Sequence, residues 1–137
     1  DRWGGINTLT AVLIVVAASL VGCGLAQASL MGTTLLFMLC FAALGAGNGA
    51  LFQLVPLRWP LTTAVAGSMI GEIGALGGGL VPSGMGLSRQ FLGSYLWGFI
   101  VLALAALAAL TVLRLLQGRW TGSWAGAGGR APAPAQV

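Results

Sequence analysis

The chain has 137 residues, 58% of them hydrophobic and only 6% charged, where an ordinary soluble domain carries roughly 25% charged residues. Six basic and two acidic side chains cannot clothe a domain of this size in water, so a soluble fold is excluded and the surrounding solvent must be largely lipid. Histidine and lysine are absent and the only acids are Asp1 and Glu72, so a Ser-His-Asp triad, a histidine zinc site, a carboxylate-pair glycosidase and a Schiff-base lysine all lack their parts.

Crossing roughly 30 Å of hydrocarbon takes about 20 apolar residues of helix, and four stretches qualify. After a short loop over residues 1–5, the expected spans are 6–25, 30–55, 61–81 and 91–116, followed by a tail over 118–137. The predicted fold is therefore all-α, a polytopic membrane protein of four transmembrane helices. Four crossings put both ends of the chain on one side. That side holds Arg2, Arg58, Arg114, Arg119 and Arg130, while the other holds only Arg89, so the positive-inside rule makes the termini cytoplasmic. Trp3, Trp59 and Trp120 fall at the same boundary, and Tyr95 and Trp97 at the opposite one, where amphipathic rings prefer the headgroup layer. The arginines are scattered singly between apolar runs, which excludes a nucleic-acid groove despite the formal charge of +4. From residue 118 the chain turns to Gly, Ala and Pro and ends in RAPAPAQV, which predicts a disordered cytoplasmic tail.

The four spans differ in kind. The first and fourth are rich in Leu, Ala and Val with few polar side chains, the composition of helices that face lipid. The second carries Gly45, Gly47, Asn48, Gly49 and Gln53, and the third carries Ser68, Gly71, Glu72, Gly74, Gly77, Gly78 and Gly79. These two are expected to be buried against protein or to line a cavity. Glycine makes up 23 of 137 residues, more than double the roughly 7% of average proteins, and in lipid that points to close helix packing. Gly45, Asn48, Gly49 and Phe52 share one face of the second span, and Gly67, Gly71, Gly74 and Gly78 share one face of the third, a stripe on which another backbone can slide or rock.

Three motifs compete with this reading. Gly45-Ala46-Gly47-Asn48-Gly49-Ala50 matches the dinucleotide fingerprint G-x-G-x-x-G/A, with Glu72 about 20 residues on as the ribose acid. No alternating βα pattern surrounds it and the acid falls inside a membrane-length stretch, so helix packing explains the glycines better and no cofactor is expected. Leu20-Val21-Gly22-Cys23 resembles a lipobox, but three more spans follow where a secreted domain should. Cys23 lies near the outer end of its helix and Cys40 roughly 15 Å deeper in the next, so both should be free, buried thiols, and no metal site is expected. Glu72 sits near the midplane, where an acid is either functional or held in a hydrogen bond to a neighbouring helix. Asn48 is expected beside a solute path or bridging helices, and Gln53 is the weaker of the two amides.

Three segments taken in order resemble the nitrate/nitrite porter family of the major facilitator superfamily. Asp1-Arg2-Trp3-Gly4-Gly5 is similar to the end of the superfamily's D-R-x-G-G loop before the ninth helix. Gly45 to Pro56, GAGNGALFQLVP, resembles the family's tenth helix, and Ile70 to Pro82, IGEIGALGGGLVP, resembles the glycine-rich nitrate signature of the eleventh. The resemblance implies that the four spans are helices nine to twelve, the C-terminal part of a twelve-helix porter, with the ninth and twelfth peripheral and the tenth lining the cavity. It implies nitrate and nitrite transport across a bacterial inner membrane, by rocking two six-helix bundles around an anion site, with protons as a further partner in some members. The family's anion-binding arginines stand on the second and eighth helices, so the missing N-terminal helices are expected partners. Carried over residue by residue, Asn48 and Phe52 match the cavity-facing stretch, and Gly71, Gly74, Gly77 and Gly78 match the sliding surface of the eleventh helix. Glu72 stands where the family pattern has a small or apolar residue, a departure that opens proton coupling or a different salt-bridge network. The expected site is thus Asn48, Phe52 and Glu72 on the substrate path, with Gly45, Gly47, Gly49, Gly71, Gly74, Gly77 and Gly78 serving helix packing and conformational exchange.

Two other readings stay open on the sequence. One is a self-contained four-helix carrier that dimerises around Glu72, and the other is a membrane scaffold whose glycines bind partner helices without moving a solute.

Overall fold

A computed structural model describes residues 3–131. Among them are four long helices, α1 (Gly5–Leu25), α2 (Leu30–Arg58), α3 (Thr63–Leu92) and α4 (Leu96–Thr121), and a 3-10 turn over Ala127–Gly129. All four helices are long and apolar enough to cross a membrane. Asp1 and Arg2, and with them the start of the expected D-R-x-G-G loop, lie outside the described residues, as do residues 132–137.

Local chemistry sets the helix ends. Ser29 caps α2 by accepting the Gly32 N–H at 3.2 Å, and Thr33 ties the turn by donating to the Ala26 carbonyl at 2.8 Å. The α3–α4 turn is closed by Gly93, whose φ of 71° supplies the left-handed residue that ends a helix. The Arg89 guanidinium donates to the Gly93 carbonyl and lies over the Tyr95 ring. The second and third helices run past the expected span ends at 55 and 81 and take in a proline each: Pro56 in the last turn of α2 and Pro82 well within α3. Each costs its helix one backbone hydrogen bond, yet α3 runs on past Val81 to Leu92, where Gly93 with its positive φ stops it.

The helices pack around α1. Antiparallel to both α2 and α4, it shares with them a cluster of Ile6, Leu54 and Leu113 at one end, joined by Leu57, Trp120 and Trp124. Farther along, Val12, Val16 and Cys40 form a second cluster with Ala43 and Ala106. Small residues bring the backbones together: a Cβ on Gly22 would stand 3.0 Å from a Leu36 methyl, and one on Gly24 would stand 2.8 Å from a Leu96 methyl. The expectation that α1 faces lipid holds for one of its sides only, where Ala11, Ile14, Ala18, Val21 and Leu25 are exposed. Its Leu/Ala/Val composition concealed two buried sides, Thr10, Ala17 and Gly24 on one and Val12, Ser19 and Cys23 on the other, which α1's neighbours cover. α4 is less buried and turns Val101, Leu104, Val112 and Leu115 outward, as a lipid-facing helix should.

Residues 118–131 also differ from the expected disordered tail. α4 continues to Thr121, the Trp124 ring lies 5.6 Å from that of Trp120, and Ala125 and Gly129 are buried. Gly128 and Gly129, at φ 70° and 82°, fold this segment back onto Gly4, Ile6 and Asn7 at the start of α1. Tryptophan supplies the apolar area that a Gly/Ala count overlooks.

Candidate substrate path

α2 has two faces. Cys40, Gly47, Ala50, Leu54 and Val55 are buried, and a Cβ on Gly47 would lie 2.8 Å from Val12 Cγ1. Gly47 is thus an α1–α2 packing residue. Gly45, Asn48, Gly49 and Phe52 lie on the other face and are exposed on the surface of the four-helix unit. A Cβ on Gly45 or Gly49 would meet nothing within 4 Å. Among the described residues the Asn48 amide has no hydrogen-bond partner, so its donors and acceptor are available to whatever occupies that side. Gln53 is exposed as well.

Phe52 is where α2 meets α3, its ring 3.5 Å from the position of a Cβ on Gly67. Beyond that contact α3 stands clear of the other helices. Gly71, Gly74, Gly77 and Gly78 have nothing within 4 Å of an added Cβ, and the most apolar window of α3 has none of its residues buried, against 39% in α1. Glu72 is exposed, and no ion pair joins it among the described residues. Each residue turns a helix by about 100°, so Glu72 points about 140° away from Gly67 and the Phe52 contact. The structure therefore brings Phe52 to α3 but does not bring Glu72 to Asn48 and Phe52.

α3 returns to the unit at its far end. The buried Ser88 hydroxyl donates to the Ser94 carbonyl at 2.8 Å and accepts the Gly98 N–H at 3.1 Å, while Met85 lies over Gly98. Sequence reasoning missed this knot, because one serine in a polar-looking turn carries no spacing signal. Two apolar hollows flank α3: a groove of about 360 Å³ beside Trp59, Val65, Met69 and Ile73, and a cleft of about 530 Å³ between Val81, Met85, Phe91, Trp97 and Val101. Both thiols, Cys23 and Cys40, are free and buried.

The chain is 34% identical over 89 residues to a probable nitrate/nitrite antiporter of Thermus thermophilus, covering 61% of this chain and 20% of that protein. It is 33% identical over 69 residues to a nitrite extrusion protein of Bacillus subtilis (strain 168), covering 50% of this chain and 18% of that one. The chain is a relative of the nitrate/nitrite porters. It spans about a fifth of the length of these curated relatives. No protein-family model and no solved structure matches the chain. Both porters are named as transporters rather than enzymes, in keeping with a membrane unit of four apolar helices.

Proposed function

We propose that the four helices are the last four of a secondary transporter of the major facilitator type, which carries nitrate and nitrite across a bacterial inner membrane by alternating access. The observation that carries this reading is the similarity to a nitrate/nitrite antiporter and a nitrite extrusion protein. The exposure of α3 supports it further, because a helix with a carboxylate and so many glycines makes a poor lipid-facing surface and a good one for further helices. On this reading Asn48 and Phe52 line the path. The unpartnered amide donates to the anion's oxygens, and the ring sits at the α2–α3 contact where the path narrows. Gly71, Gly74, Gly77 and Gly78 offer the opposing bundle a surface without side chains to catch on. The arginine bias puts both ends of the chain in the cytoplasm.

The test is nitrate and nitrite uptake in a transport-deficient bacterial strain. This chain alone is compared with the chain joined to an upstream eight-helix portion of a related porter, after membrane insertion of both has been checked. Uptake by the joined form only is the expected result. Uptake by neither inserted form refutes the substrate assignment, and uptake by the chain alone refutes its role as the final four helices.

A further inference from the structure

Glu72 is the one acid among the described residues, and it lies about 14 Å along α3 from Thr63, which counted from that end is near the middle of a roughly 30 Å hydrocarbon core. A carboxylate at that depth has to be met by a donor. None of the four helices supplies one. The arginine on its own helix, Arg89, is 17 residues away, about 26 Å along the axis, and already donates to Gly93. Arg58 is in the last turn of α2, Arg119 is in the last turn of α4, and Arg114 bonds Gln117 on that same end. The hydroxyl of Ser68, four residues before Glu72, donates to the Val65 carbonyl at 3.0 Å.

The surroundings of Glu72 define a face. Ser68, Glu72, Ala75 and Gly79 recur at spacings of four, three and four, and all are exposed. This face is distinct from the one on which Gly67 meets Phe52, so it looks away from α2. Three of its four side chains are small, which leaves the carboxylate as its one long group.

We propose that the Glu72 face of α3 docks a membrane helix that presents one cationic side chain, an arginine or a lysine, at midplane depth. The proposal rests on the reading that further helices accompany these four, and it names the chemistry of the one that covers α3. Charge complementarity selects the partner. A second copy of this chain would bring another Glu72 by symmetry, and like charges at that depth repel. With the pair formed, two charges are neutralised where lipid cannot solvate either, and the helix contact gains a fixed register.

The experiment uses the full protein and reads its assembly, so it does not depend on which solute is carried. Detergent-extracted Glu72→Lys and Glu72→Gln proteins are melted beside the wild type. Glu72→Lys is expected to lower the melting temperature by about 5 °C or more, and Glu72→Gln by less. Selection for restored assembly of Glu72→Lys is expected to return an Arg→Glu or Lys→Glu change in another membrane helix. If Glu72→Lys does not insert, the Glu72→Gln shift decides. Melting of both variants within about 1 °C of wild type, or restoring changes at uncharged positions only, overturns the proposal. So does disulfide formation between two copies through Glu72→Cys. A wild-type protein that moves no nitrate would sink the proposed function, while the melting comparison would still decide the docking partner.

Discussion

The two faces of α2 make a matched pair of substitutions informative. Gly47→Ala and Gly45→Ala stand two residues apart on the same helix, so the gain in helix propensity from replacing glycine, at most about 1 kcal/mol, is common to both and cancels in the difference. What remains is packing. At Gly47 the new methyl would lie 2.8 Å from Val12 Cγ1, closer than carbon atoms tolerate, and Val12 is β-branched and stiff, so either its rotamer or the α1–α2 spacing must give. At Gly45 the methyl meets nothing within 4 Å. Overpacking of this kind costs about 1–3 kcal/mol, which for a chain of this length separates the two melting temperatures by about 4–12 °C, with Gly47→Ala the lower. The assay is thermal melting of the detergent-extracted proteins, followed as loss of the monodisperse peak in gel filtration. Equal melting of the two variants, within about 1 °C, would refute the assignment of Gly47 to the α1 interface and of Gly45 to the open face.

Other consequences can be checked alongside. Asn48→Leu removes the unpartnered amide from the open face and is expected to cut nitrate uptake at least about tenfold, with melting unchanged because the side chain holds nothing within the unit. Normal uptake by this variant would remove Asn48 from the path. Gly74→Leu finds open space in the four helices, so it is expected to insert and melt normally yet abolish uptake by obstructing an opposing bundle, and retained uptake would count against the sliding surface. Ser88→Ala leaves the Ser94 carbonyl and the Gly98 N–H without their bonds at the α3–α4 turn and is expected to destabilise by about 1–3 kcal/mol in the same melting assay.

The sequence alone determined the class of the molecule. Four apolar stretches separated by turn residues, in a chain with 6% charge, leave little but a helical membrane protein, because a spanning backbone must satisfy its own hydrogen bonds. It also reached the porter family through GAGNGALFQLVP and IGEIGALGGGLVP, and it marked Gly45, Asn48, Gly49 and Phe52 as one face, since helical periodicity is a local property. Which face meets which neighbour was decided only in three dimensions. Gly47 looks like its neighbours Gly45 and Gly49 in the sequence, yet it alone of the three packs on Val12. Composition assigned α1 to lipid, but two buried sides, Thr10, Ala17 and Gly24 on one and Val12, Ser19 and Cys23 on the other, make it the helix around which α2 and α4 pack. The Gly/Ala-rich segment after residue 118 folds onto α1 because two tryptophans and two glycines of positive φ let it. Lipid is as apolar as a leucine, so hydrophobicity does not tell a membrane helix which side is inside. Close packing of small residues does, and that depends on the partner across the interface as much as on the helix itself.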